Sequence, residues 1–418
     1  MTRRIRFAAA IIIVLALYVS VPAFGQQPQG SMAFTVSMER PAMHYFRVIL
    51  RWDAPRGEAQ DFKMPAWTPG YYRIMDYAKN VLNFRAEDGA GKPLAWEKTA
   101  KNTWHVRTGK APVVVVSYDV YAFTPFVADS YLDDEKAFIV PAGVLMHAAG
   151  QLRRPVTVTV RPHQGWRTIA TGLDAVEGRP NTFSAPDFDV LYDCPILMGN
   201  QDVLPFEVRG IPHVFVGDNL GALDKAKFVG DLGKIVEAAA ALIGEIPYRH
   251  YAFLAIGPGG GGLEHQNSAA LSFTAAGLMS NPGGYKRWLE FVSHEFFHLY
   301  NVKRIRPIVL GPFDYDRENY TTMLWVSEGF TSYYESLVLR RAGLIGRDDV
   351  FEDMRSAIAH YENVPGHLFQ SAAASSFDTW LEFFNRSENA ANTTISYYDK
   401  GVALGMLLDF KILTETKT

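Results

Sequence analysis

Residues 291–301 read FVSHEFFHLYN, two histidines and a glutamate in an otherwise aromatic and aliphatic stretch. In an α-helix His294 and His298 stand one turn apart on the same face, and Glu295 borders that face. Two imidazoles so placed can bind one Zn²⁺ while the carboxylate reaches a water on the metal. A catalytic zinc takes three protein ligands and keeps one position open, so a third ligand must come from elsewhere. Downstream, TTMLWVSEGFTSYYESLVLRRAGL (321–344) reads as a strongly apolar helix with Glu328 in its first turns. Leu324, Trp325, Tyr334 and Leu337 are expected to form its buried face. A carboxylate buried there without a partner is costly, and a metal supplies the partner. The competing explanation is a glutamate favoured by a helix N-terminus. Glu318, in the polar run DYDRENY (314–320), is the rival third ligand.

Two kinds of element must position these groups. Up to about residue 218 the chain alternates apolar and polar residues between Gly, Pro and Asp breaks, as in HYFRVILRWD (44–53), APVVVVSYDVYAF (111–123), RPVTVTVRP (154–162) and FEVRGIPHVFVGD (206–218). Period-two runs of Val, Tyr, Phe and Thr predict strands, and hence a β-rich, sandwich-like N-terminal domain over 26–218. After Asp218 the pattern becomes helical. The segment 222–243 carries apolar residues three and four apart and is stopped by Gly244. One strand, HYAFLAI (250–256), leads into the glycine run GPGGGG. Helices are predicted at about 284–301, 323–342, 348–361, 376–384 and from 397 onward, in a second domain spanning 219–418. The fold class is therefore multidomain α+β.

The remaining composition narrows the function. A length of 418 residues exceeds one small domain, and 48% hydrophobic with 20% charged residues suits a globular chain. Net charge is −3 and no basic block follows the N-terminus, which argues against nucleic acid as a partner. Residues 1–25 have three arginines, an apolar run from Phe7 to Val19 and a small-residue stretch, the layout of a secretory signal peptide. The run is short of the roughly 20 residues that span a bilayer. The expected mature protein is secreted or periplasmic and not an integral membrane protein. Cys194 is the single cysteine, so no intrachain disulfide forms.

HEFFH followed by WVSEGFTSYYE resembles the gluzincin metallopeptidases, in which a glutamate on a following helix completes a His-His-Glu zinc site. More narrowly, WTPGYYRIMDYAKNV (67–81), HEFFHLYNVKRIRP (294–307) and LGPFDYDRENYT (310–321) are similar to the glycyl aminopeptidase family. Its members carry a β-rich N-terminal domain, a thermolysin-like, mainly helical catalytic domain and a C-terminal PDZ domain. The 29 residues between His298 and Glu328 fit that family better than thermolysin-like sites, where the gap is shorter. The segment after Tyr398 is too short for a PDZ domain, and the catalytic domain is expected to be cut short at its C-terminal end.

The resemblance implies further roles. GGLEHQN (261–267) is similar to the exopeptidase motif of gluzincin aminopeptidases, with His265 in place of an asparagine. It implies that Gly261 and Gly262 let a substrate backbone approach an edge strand and that Glu264 binds the free α-ammonium. Tyr398, before Asp399-Lys400-Gly401, matches the tyrosine that donates to the oxyanion, and Tyr397 is its neighbour in that register. With one zinc on His294, His298 and Glu328 and with Glu295 as general base, the implied activity is removal of the N-terminal residue, glycine by the family's name, from peptides with a free N-terminus. A zinc endopeptidase, or an inactive pseudopeptidase serving as a binding scaffold, is the alternative.

Overall fold

The computed structural model describes residues 31–53, 57–279 and 283–417. The expected signal peptide at 1–25 lies outside the described residues. Among them, no helix is long and apolar enough to cross a membrane.

The N-terminal half is a β-sandwich. Its larger sheet has seven strands in the order Asp174–Ala175, Thr182–Ala185, Val156–Arg161, Met32–Ser37, Tyr45–Asp53, Val113–Tyr121, Val81–Asp88. All pairs are antiparallel except Met32–Ser37 with Val156–Arg161. The period-two pattern has its expected result here: in Tyr45–Asp53 every second residue is buried, through Phe46, Val48, Leu50 and Trp52. Those side chains meet a four-stranded sheet (His147–Ala148, Gln60–Lys63, Thr103–Val106, Trp96–Ala100). Trp52 packs edge-on to Phe62 at 6.3 Å, and Phe84 stacks on Trp104 at 5.5 Å. A third sheet joins Thr168–Thr171, Ile196–Gly199, Lys136–Ile139 and Tyr131–Leu132.

The site rests on a five-stranded sheet ordered Asp202–Val208, Ile211–Gly217, Tyr251–Gly257, Ser268–Ser272, Gly262–Glu264. Ile211–Gly217 pairs in parallel with Tyr251–Gly257, and helix Lys225–Ile243 makes the crossover between them. Segment 206–218, read as the last piece of the β domain, is thus two strands of the second half. A boundary at 218 would part a strand from its hydrogen-bonded neighbour; the sheets divide near Gln201 instead.

Every residue of Tyr251–Gly257 is buried, because both faces of the strand are covered. Ala252, Leu254 and Ile256 join the sandwich core, whereas Tyr251, Phe253 and Ala255 join the helical core. This is why the strand reads as an unbroken apolar run. The helical part contains Gly284–Phe297, Gly329–Arg341, Arg347–Asn363 and Tyr397–Thr416. Expected segment 323–342 is broken at Glu328 into Leu324–Ser327 and Gly329–Arg341. Of its expected buried face, Leu324 is buried, but Trp325, Tyr334 and Leu337 are only half-buried, and Tyr333, Val338 and Leu339 take the core positions.

Candidate metal centre and substrate cleft

His294 and Glu295 lie in the last turn of helix Gly284–Phe297, and His298 caps it with helical dihedrals (φ −57°, ψ −22°). The one-turn spacing therefore holds even though the helix ends earlier than expected. The two Nε2 atoms stand 2.9 Å apart, and Glu328 Oε2 lies 3.5 Å from His294 Nε2 and 3.1 Å from that of His298. Zinc bonds of about 2.0–2.1 Å in a tetrahedron require ligand atoms roughly 3.3 Å apart, so this triangle has the right size. Among the described residues it is the one group of His, Cys, Asp or Glu side chains gathered closely enough to hold a metal. Glu318 does not join it.

The donor set is prepared for a metal. His294 Nδ1–H donates to Glu335 Oε2 at 2.7 Å, and His298 Nδ1–H donates to the Asn301 carbonyl at 3.0 Å. Each bond leaves Nε2 as the free lone pair, the arrangement by which a second partner orients a metal-bound histidine. Burial opposes ionisation of Glu328, but positive charge on His298 and His294, a place that a metal's charge would take, outweighs that and holds its carboxyl well below the usual range. Glu295 differs: burial pushes it up to about 7, against the pull of the same histidines. Its carboxylate presses on Gly262, where an added Cβ would overlap it.

Two residues of the quoted HEFFHLYNVKRIRP run have positions that sequence reading did not assign. Asn301 Nδ2 faces the Val326 carbonyl (2.9 Å), the Ser327 carbonyl (3.0 Å) and Thr331 Oγ1 (3.1 Å). It thus ties the end of the histidine helix to the turn that presents Glu328. Lys303, its side chain 6% exposed, bonds Asp193 at 2.9 Å and makes an ion pair with Glu264 Oε1 at 3.4 Å. Between them Val302 holds φ +131°, a conformation that costs a β-branched residue about 1–3 kcal/mol. Glu335 was also missed. A signal existed: Glu328, Ser332 and Glu335, four and three apart, form a polar stripe along an apolar helix.

The cleft above the triad has a volume of about 420 Å³. Glu264, Gly261 and Gly262 line it, and strand Gly262–Glu264 is an edge strand whose outer side carries no partner strand among the described residues. Glu264 Oε1 is buried with the Lys303 ammonium 3.4 Å away and, among the described residues, no closer hydrogen-bond partner. His265 turns away, with Nδ1 3.4 Å from Asp193. Tyr398 lines the cleft, its ring 6.1 Å from that of His294. Tyr397 lies in the core and bonds Thr379 Oγ1 at 3.0 Å, which separates the two tyrosines. Burial, then the charges of Glu328 and Tyr397, raise the Tyr398 phenol well above its ordinary value, so it stays protonated. Tyr398 is brought in by a contact of two helices. Gly329, next to Glu328, and Gly401, three residues after Tyr398, touch backbone to backbone, and neither position has room for a Cβ.

A His-His-Glu triad under a buried glutamate, between a β-sandwich and a helical domain, marks a zinc metallopeptidase. The sequence agrees: residues 33–200 match the Peptidase M61 N-terminal domain and residues 287–404 match M61 glycyl aminopeptidase. Among solved structures, the chain is similar to an aminopeptidase N family protein from Idiomarina loihiensis, with 31% identity and a TM-score of 0.86 over 92% of this chain and 67% of that one. The chain belongs to the M61 glycyl aminopeptidase family. An M1 zinc metallopeptidase from Deinococcus radiodurans, in mutant form, shares the fold at 14% identity and TM-score 0.55, covering 92% of this chain and 83% of its own. The same mutant bound to a Tyr-Ser-Ala substrate aligns at 14% identity and TM-score 0.54, with the same coverage. Comparison with curated protein sequences gave no match.

Proposed function

We propose that the protein is an aminopeptidase that removes the first residue of peptides with a free N-terminus. The observation that carries this reading is Glu264: a carboxylate separate from the zinc triad and from Glu295, in the same cleft, at the end of an edge strand. An extended substrate can add to that edge through main-chain hydrogen bonds, with its ammonium at Glu264 and its first carbonyl over the triad.

His294, His298 and Glu328 would hold the zinc, which would supply an activated water and Lewis-acid polarisation of the scissile carbonyl. Glu295, which lines the cleft beside the triad, would take the water's proton and deliver it to the leaving amine. Tyr398, kept protonated, donates to the oxyanion as the carbonyl becomes tetrahedral. Export through the leader at 1–25 belongs to the same proposal and is supported by its basic, apolar and small-residue regions.

The test compares a free and an N-acetylated peptide substrate on the zinc-loaded protein. A strong preference for the free amine, lost in Glu264→Gln, is the expected result; equal turnover of both substrates would mean an endopeptidase. Glu295→Gln should lower turnover about 10²–10⁴-fold with zinc still bound, and unchanged turnover would remove Glu295 from its role.

A further inference from the structure

The motif WTPGYY at 67–72 has no role in the chemistry above, yet its tip reaches the cleft from the β domain. Thr68 to Tyr71 form a tight turn, with Tyr71 N–H donating to the Thr68 carbonyl at 3.2 Å. Pro69 holds the second position and Gly70 the third, at φ +91°, the requirements of a type II turn. A Cβ on Gly70 would lie 2.8 Å from Leu263 Cδ1 and 3.0 Å from both carboxylate oxygens of Glu264. The tip of the turn is therefore pressed against the group that we assign to the substrate's ammonium.

Tyr71 follows, edge-on between two phenylalanines, with centroids 5.1 Å from Phe126 and 4.8 Å from Phe384. All three rings line the cleft. The turn has no room to retreat. Ala66 N–H donates to the Tyr315 carbonyl at 2.7 Å, and Trp67 Nε1–H donates to the Asp314 carbonyl at 2.9 Å. The fully buried Trp67 ring is wedged against Phe313 (5.3 Å) and Trp380 (5.1 Å). The second unassigned motif, LGPFDYD at 310–316, is thus the backing of the first.

We propose that Tyr71 is a specificity-determining residue: its ring, clamped by Phe126 and Phe384, closes the space available to the side chain of the substrate's first residue and turns large side chains away. The proposal rests on the aminopeptidase reading. Once the ammonium is at Glu264, the first Cα is one bond further on, beside the Gly70 tip, and its side chain projects into space bordered by Tyr71. The β domain then has a direct part in substrate choice.

The experiment measures kcat/KM on glycyl, alanyl, valyl and leucyl p-nitroanilides for the zinc-loaded wild type, Tyr71→Ala and Phe384→Ala. A hydrophobic subsite discriminates by about 10–200-fold for a methylene of difference, so the leucyl-to-glycyl ratio should rise by at least tenfold in Tyr71→Ala and also rise in Phe384→Ala. Tyr71→Phe should keep the wild-type ratio, since the ring and not the hydroxyl forms the barrier. The two alanine variants lie in different parts of the fold, so misfolding of one leaves the other to decide. A folded variant that loses activity equally on all four substrates, with the ratio unchanged, would overturn the assignment of Tyr71. If wild type cleaves N-acetylglycyl p-nitroanilide as fast as the free form, the failure lies with Glu264 and the aminopeptidase reading.

Discussion

Replacing Asn301 by alanine should weaken zinc binding without touching a zinc ligand. Its Nδ2 carries two hydrogens and faces three acceptors at 2.9, 3.0 and 3.1 Å, so about two full hydrogen bonds are at stake. At a net value of about 1 kcal/mol each, with more where a buried carbonyl loses its donor, the loss is roughly 2–3 kcal/mol. Two acceptors are the carbonyls just before Glu328, so part of this loss appears as freedom of that carboxylate. Residue 301 keeps its own carbonyl in the variant, and His298 keeps its partner. Removal of such supporting groups costs about 10–100-fold in metal affinity, or roughly 1.4–2.7 kcal/mol. Competition against a chromophoric chelator measures it, and the gap between the Tm values of the zinc-loaded and metal-free protein should shrink in parallel. Asn301→Asp should be worse than alanine, because it sets a carboxylate against two carbonyl oxygens. A folded Asn301→Ala protein with zinc affinity within twofold of wild type would refute the argument.

Two further outcomes are expected. Gly262→Ala should lower turnover at least tenfold while zinc stays bound, because the new methyl occupies the place of the Glu295 carboxylate; kinetics with elemental analysis decide it, and near-normal turnover would mean that Glu295 can work elsewhere. Burial holds the His147 imidazole down to about 4, below its unfolded value near 6.5. The unfolded chain therefore binds more protons in the window between 4 and 6.5, and stability falls as pH falls through it. At pH 5 this histidine should cost roughly 2 kcal/mol relative to pH 7.5. Urea unfolding at the two pH values should show a smaller drop in His147→Gln than in wild type; equal drops would contradict the assignment.

What the sequence shows follows the range of the interactions concerned. The one-turn spacing of His294 and His298 is local geometry, and Glu328 stood out because a carboxylate in an apolar helix needs a partner. The helices 222–243 and 348–361 match Lys225–Ile243 and Arg347–Asn363 closely, since their period and caps are local too. Strand partners are another matter. Alternation in 206–218 identifies strands, but nothing in it says that they pair with a strand beyond a 19-residue helix. The same limit hid Gly70 and Tyr71, whose neighbours at 263–264 and 384 lie far along the chain. Asn301 was in plain view within a quoted motif, but its acceptors are backbone carbonyls, which no sequence pattern displays. The break at Glu328 was missed because the run 324–339 is apolar on more than one side.

The contact between Gly329 and Gly401 has a consequence for how this site can vary. One glycine belongs to the EGF triplet and the other to the YDKG run, and each reads alone as a small residue near a reactive one. Together they are a shim of zero thickness. A single methyl on either would wedge the two helices apart and carry Tyr398 away from the zinc ligands without altering any reactive group. Compensation cannot come from the partner position, which has nothing left to remove. The pair is therefore bound to stay glycine on both sides for as long as Tyr398 keeps its place beside His294, and a search for relatives that retain this arrangement should demand both glycines before it demands the tyrosine's neighbours.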